Sequence, residues 1–229
     1  MSLINETLDA GVTLTRHMHK KPYVTLILSG SYIEAGDHGR FEVKPGDILM
    51  HGHFAAHANW ISPYRDVKTL NIELNDIPNL QAVCTSDSFD SVIKYAKYDI
   101  PLALNELFSS IVPKAQPLSD WPEVLAKAIR NDPIKDIGYW CKFLDLTPGT
   151  VSRGFKRAFG VTVTQYRATV RARGALLKLR KENVSLSELA YAWGFSDQPH
   201  FTRAIRALTG QTPSYWQKVK NIQDKNSRP

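Results

Sequence analysis

The sequence predicts an α+β protein of two domains, a small β-barrel followed by an all-α domain that holds two helix-turn-helix motifs joined by a long helix. Three observations carry this expectation. Short β-branched and aromatic runs crowd the first seventy-odd residues, apolar residues recur with a helical period from Trp121 onward, and the helical part repeats itself at an offset of fifty. The expected boundaries are 1–78 for the β domain, 79–118 for a linker with a possible dimerisation helix, 119–220 for the helical domain and 221–229 for a tail.

Composition narrows the class before any motif is read. The 229 residues carry a net charge of +7 and an ordinary apolar fraction, which disfavours disorder. No run reaches the length of a membrane span, and "MSLINETLDAG" lacks the basic and apolar segments of a signal peptide. Cys84 and Cys141 have no metal-like spacing. These features suit a cytoplasmic protein with no membrane contact. The charge is unevenly divided: residues 119–229 hold 19 Lys and Arg against 9 Asp and Glu, a net +10, whereas residues 1–118 carry −3. A basic half beside a mildly acidic one points to a polyanionic partner for that half alone.

The elements follow in order. "PYVTLILSGSY" reads as a strand stopped at Gly30, "GRFEVKPGDILMHG" as two strands around the turn Pro45-Gly46-Asp47, and "HANW" and "VKTLNIEL" as two more. Beyond Asn75 "NDIPNLQAVCTSDSFD" is turn-like, "PLALNELFSSI" is a short helix and "VPKAQPLSD" has linker composition. "SDWPEVLAKAIRN" opens the helical part, with Ser119 or Asp120 as cap and Pro122 in the first turn. A second helix follows from Asp136 to Leu144, and Thr147-Pro148 opens a third.

Within the repeat, Thr150 to Tyr166 falls on His200 to Trp216, so Arg153 matches Arg203, Lys156 matches Arg206 and Gly160 matches Gly210. Upstream the offset is forty-nine, pairing Cys141 with Ala190 and Asp145 with Gly194. Each copy therefore has a capped helix, a small crossing residue, a turn that needs a left-handed residue and a second helix. Asp136 caps the first copy, Ser185 with Glu188 makes a capping box in the second, and Ser196 is expected to cap its second helix. Val151, Phe155 and Ala158 in one copy, and Phe201, Ile205 and Leu208 in the other, form the stripe to be buried. Gly149, Thr150, Arg153 and Lys156, and Pro199, His200, Arg203 and Arg206, fall on the opposite side. Such a polar face is what a recognition helix offers a major groove, where arginine can bond guanine and glutamine adenine. Between the copies, roughly seventeen residues from Thr164 read as one helix of about 25 Å, a strut suited to placing two such helices in successive grooves. Lys156, Arg157, Arg167, Arg171, Arg173 and Arg206 are the candidates for neutralising phosphates, joined by Thr147, Thr150 and Ser196 at the helix entrances.

With "LTPGTVSRGFKRAFG" and "SLSELAYAWGFSDQPHFTRAIRALTGQTPSYW" in view, residues 121–218 resemble the AraC/XylS family of bacterial transcriptional regulators. The second copy carries the tail signature of that family in Gly194-Phe195-Ser196-Asp197-Gln198, Phe201, Arg203, Gly210 and Thr212-Pro213. The resemblance implies a two-motif domain that binds double-stranded DNA at promoters, usually as an activator contacting RNA polymerase. It assigns base readout to Pro148, Gly149, Ser152 and Arg153, and to Gln198, Pro199, His200 and Arg203. Asp145 stands where the family has glycine, and Val163 where it has proline.

The amino half, through "RHMHKKPY", "LSGSY" and "VKPGDILMHGHFAAH", is similar to the small cupin barrel that often senses an effector in this family. His17, His19 and His57 sit where metal-binding cupins place converging histidines, but Tyr23, Val24 and Thr25 occupy the neighbourhood of the usual glutamate. The expectation is therefore no cofactor, with His17, His19, Tyr23, His57 and Trp60 lining an effector pocket and His51 and His53 on a loop or strand exterior. No catalytic residue is expected. The function expected is a sequence-specific DNA-binding transcriptional activator, responsive to a small effector and able to form a homodimer. The alternatives are a metal-dependent cupin enzyme fused to a DNA-binding domain, and a helical protein-interaction module.

Overall fold

The structure, a computed structural model, describes residues 2–37, 39–75, 77, 83–115 and 120–226. The chain divides into two compact units, residues 1–123 with 157–160, and residues 124–156 with 161–229.

The first unit is a sandwich of two antiparallel sheets. Its strands are β1 (Leu3–Leu8), β2 (Thr13–His19), β3 (Tyr23–Ser29), β4 (Tyr32–Gly36), β5 (Gly39–Val43), β6 (Ile48–His51), β7 (Ala55–Ile61), β8 (Val67–Glu73), β9 (Val83–Ser86) and β10 (Ile111–Pro113). One sheet has the order β1-β8-β3-β6-β9-β10, the other β2-β7-β4-β5. The turn at Pro45-Gly46-Asp47 does not join neighbours: β5 pairs with β4 and β6 with β3, so the turn carries the chain from one sheet to the other. Gly30 makes the β3–β4 turn at φ 76°, where an added Cβ would meet the Asp66 carbonyl at 2.5 Å. Only glycine fits there.

Strand alternation divides the interior. Val24, Leu26, Ile48, Met50, Leu70 and Ile72 point to one face of the larger sheet, where they pack under Val92, Ala96, Ala103, Leu104 and Leu107. Those five residues belong to α1 (Phe89–Ala96) and α2 (Ile100–Ser110). Ile27, Leu49, Val67 and Val83 point the other way and meet Tyr32, Phe41, Val43 and Ile61 between the sheets.

This arrangement changes the reading of the segment expected as a linker. Residues 83–113 supply β9, which pairs with β6, then α1, α2 and β10, so the β unit does not stop at residue 78. Lys114 Nζ then reaches Asp47 Oδ2 at 2.5 Å. The face of α2 carrying Ala103, Leu104 and Leu107 is covered by the sheet. The "IPNLQA" and "QPLS" parts of that segment lie largely outside the described residues, as does the cap expected at Ser119.

The helical unit is built on α6 (Val163–Lys181), longer than expected because Thr162 and Gln165 close a capping box that starts it one residue earlier. At 19 residues it is about 28 Å long. Around it stand α3 (Trp121–Asn131), α4 (Ile137–Phe143), α5 (Pro148–Phe159), α7 (Leu186–Ala192), α8 (Gln198–Thr209) and α9 (Pro213–Asn226). The helix α6 packs against α7, α8 and α9. Near its start the Tyr166 ring meets Phe155 of α5 edge-on at 5.2 Å, and the Tyr166 hydroxyl accepts from Arg130 of α3 at 3.1 Å. Helix α9 runs through most of the expected tail, and residues 227–229 lie outside the described residues.

Candidate nucleic-acid interface and barrel cavity

Both copies of the repeat fold as α-helical hairpins. Asp136 caps α4 by accepting from the Tyr139 N–H, and Ser185 caps α7 through the Glu188 N–H. The turns use the left-handed region at matched positions, Asp145 at φ 52° and Gly194 at φ 68°. Cys141 and Ala190, the small residues of the first helices, are buried. The cap of α8 is Asp197, not Ser196: the Asp197 carboxylate accepts the His200 N–H. Ser196 donates to Asp197 Oδ2 at 3.2 Å and meets His200 Nδ1 at 3.1 Å. The carboxylate reaches the third N–H of the helix, and the hydroxyl one residue earlier braces it. That N–H holds the Asp197 carboxyl below its ordinary pKa.

The second helices bury the expected stripes, Val151, Phe155 and Ala158 on α5, and Phe201, Ile205 and Leu208 on α8. On the other side Thr147, Pro148, Thr150, Ser152, Arg153, Lys156 and Arg157 are exposed, with Gly149 half-buried. Gln198, Pro199, Arg203, Arg206 and Ser196 are exposed on or before α8, and His200 is half-buried against the Phe195 ring. An added Cβ on Gly149 would stand 3.3 Å from Arg153 Nη1, so the missing side chain leaves the guanidinium room over the start of α5.

Two arginines expected on phosphates are spent on the protein itself. Arg171 is 9% exposed, donating from Nε to the Trp193 carbonyl at 2.7 Å and from Nη2 to the Gly194 carbonyl, with its carbon 4.5 Å from the Phe195 ring centre. These carbonyls close the C-terminal end of α7, where backbone dipoles favour a cation. Arg167 donates to the Pro133 and Ile134 carbonyls between α3 and α4. Arg173 is half-buried on the same helix. Because α6 is enclosed along two sides, its arginines do not form an open basic face.

In the β unit, His17 and His19 share one face of β2, and His17 stands opposite His57 of β7. They line a cavity of about 520 Å³ with Tyr23, Tyr32, Thr25, His51, Asn59 and Asn71. The Nε2 atoms of His17 and His57 are 3.0 Å apart, and the Tyr23 hydroxyl is 3.4 Å from the latter. The His19 ring centre lies 4.9 Å from that of His17 and 5.2 Å from that of His57. On the far side of His57, Glu34 Oε2 is 3.3 Å from Nδ1 and 3.8 Å from His51 Nε2. Burial lowers His17, partly offset by its bond to the Thr15 carbonyl, and burial with the neighbouring imidazoles lowers His19 to about 4. Burial alone would raise the Glu34 carboxyl, but His51 and His57 outweigh it and hold it below its ordinary range.

Two expectations about this cavity fail, for one reason. His51 is only 6% exposed and stacks on Tyr23 at 4.3 Å, so it faces the interior. Trp60 does not line the cavity. It lies three residues from His57 on the same strand, and an odd spacing puts it on the opposite face. Glu34 comes from β4, and no local pattern around it in the sequence marks it as a neighbour of these histidines. His53 sits on the β6–β7 turn, with Nδ1 3.3 Å from the Lys20 carbonyl.

Residues 140–218 match the family model of a helix-turn-helix domain. The HTH-type transcriptional activator RhaR of Cronobacter sakazakii is 28% identical over 83 residues, covering 36% of this chain and 29% of that protein. The bifunctional transcriptional activator/DNA repair enzyme AdaA of Bacillus subtilis is 27% identical over 78 residues, covering 34% and 37%. The chain spans less than half the length of these curated relatives. Among solved structures, ToxT from Vibrio cholerae aligns at 10% identity with a TM-score of 0.45, covering 95% of this chain and 97% of that one. No helix among the described residues is long and apolar enough to cross a membrane.

Proposed function

We propose that this chain, whose residues 140–218 form a helix-turn-helix domain of the AraC/XylS type, is a sequence-specific DNA-binding transcriptional regulator of the cytoplasm. The observation that carries the reading is the twofold presentation of one polar face. Arg153 on α5 and Arg203 on α8 are exposed at matched positions, each five residues beyond the first residue of its helix, and both helices are tied to one strut, α6. One chain thereby offers what a simple helix-turn-helix dimer offers with two. Base readout falls to Ser152, Arg153, Gln198, His200 and Arg203. Pro148, Gly149 and Pro199 contribute close approach instead of side-chain donors. Lys156, Arg157 and Arg206 neutralise phosphates, assisted by Thr147, Thr150 and Ser196.

In this reading the regulator is an activator, as RhaR and AdaA are by name, it contacts RNA polymerase, and the barrel cavity receives a small effector. Selection of bound fragments from a random duplex library tests the reading. Enrichment of one bipartite site, with discrimination over scrambled duplex that survives physiological salt, is the expected result. Enrichment of no site, or equal binding to scrambled duplex, would refute it.

A further inference from the structure

We propose that the cavity of the β unit takes a small organic amine, its ammonium group seated between Asn59 of β7 and Glu6 of β1 and its apolar body against Leu8 and Leu14. This ligand class rests on the reading of the cavity as an effector site. Register separates the cavity into two ends. On β7, His57 stands opposite His17, whereas Asn59, on the same face, stands opposite Leu14 of β2 and Glu34 of β4. On β8, Glu73 stands opposite Tyr23 at the histidine end, and Thr69, four residues back, stands opposite Glu6. Leu8 and Leu14 flank the turn that joins β1 to β2. The histidines, Lys20 and Lys21 therefore occupy one end of the cavity, and Glu6, Leu8, Leu14, Asn59 and Thr69 the other.

The second end has an unmet acceptor. Asn59 is 5% exposed, and its Oδ1 is buried with no hydrogen-bond partner among the described residues. An amide oxygen only accepts, so the group that satisfies it must donate. A carboxylate faces the same space from the other sheet. Asn71 Nδ2, whose own Oδ1 accepts from Thr25 at 2.6 Å, donates to Glu6 Oε2 at 2.9 Å and draws it to the cavity wall. An ionised carboxylate accepts further bonds beyond that one. Glu34, the cross-strand neighbour of Asn59, adds a second negative charge behind it. The lysines do not offset these charges: Lys21 is bound to Glu73 at 3.1 Å, and Lys20 is exposed at the far end. After burial, it is Glu34 and Glu6 that push the Tyr23 and Tyr32 hydroxyls above their ordinary pKa, the sign of a negative field in the cavity. A hydroxyl could satisfy Asn59 but would leave that field uncompensated, and a carboxylate would be repelled by it. An ammonium supplies three donors and the opposite charge. The cavity of about 520 Å³ leaves room for a hydrocarbon or aromatic body on the leucines.

Full-length chain, in buffer containing chelator, is titrated calorimetrically with butylamine, hexylamine and 2-phenylethylamine, and with the alcohol and the carboxylate of each body. At least one amine should saturate at one molecule per chain and bind about tenfold tighter than its own alcohol and carboxylate. Glu6→Gln, at an exposed position, should weaken that amine about fivefold and leave the alcohol unchanged. Asn59→Asp should tighten the amine and weaken the carboxylate. Circular dichroism shows whether each variant folds, and Glu6→Gln decides if Asn59→Asp does not. A carboxylate or alcohol that binds as tightly as its amine would overturn the amine assignment and leave the effector reading standing. Unchanged amine affinity in folded Glu6→Gln would overturn the placement of the ammonium. No binding by any of the three classes would overturn both this inference and the effector reading.

Discussion

Replacing Arg171 with alanine distinguishes a structural arginine from a phosphate ligand. The side chain is 9% exposed, its guanidinium donates to the Trp193 and Gly194 carbonyls, and it lies over Phe195. Hydrogen bonds from a charged donor contribute about 1.5–3 kcal/mol each, and the cation–π contact about 0.5–1 kcal/mol. The two bonds share one guanidinium and are not additive, so the expected loss is about 3–5 kcal/mol, at the upper end for a single substitution. Arg171→Lys keeps the charge but not the fork, and should recover only part of this. Urea unfolding of the full chain, followed by far-UV circular dichroism, reads the loss as an early transition of the helical unit. DNA affinity against salt is measured in parallel by fluorescence anisotropy. A destabilisation below about 1 kcal/mol, with a salt slope reduced by about one, would put the guanidinium on a phosphate and refute the reasoning.

Three further outcomes are expected. Arg203→Ala should cost about 1–3 kcal/mol at the selected site and relax preference at one base pair, measured by competition with single-substitution duplexes. Lys156→Ala should weaken all duplexes alike and flatten the salt dependence by about one. Asp145→Gly should stabilise the chain by about 0.5–1 kcal/mol in the same urea experiment, because a non-glycine residue holds φ 52° there.

The helical unit was legible because its signals are local. The turn positions Asp145 and Gly194, the cap at Asp136 and the buried stripes through Phe155 and Phe201 all lie within a few residues of what they control. Ser196 was misread as the cap because serine and aspartate are both good capping residues and stand side by side, and only backbone geometry separates them. Arg171 was misread because an arginine on an amphipathic helix looks solvated until a second hairpin closes over it. In the β unit the signals are non-local. Tyr23 pairs with His51 and His17 with His57 across gaps of 28 and 40 residues, so which histidines share an interior depends on register that no local pattern states. The strands β9 and β10 are short, with β10 paired to β9 and β9 to the distant β6, which is why their region read as linker.

That β9, α1, α2 and β10 complete the first unit has a practical consequence for dissecting the protein. Cutting after residue 78 would strip the lid from Val24, Leu26, Ile48 and Ile72 and leave β6 as a raw edge, a recipe for self-association. A graft of this β unit onto another protein should therefore retain the chain through Lys114, whose ammonium anchors the last strand to Asp47.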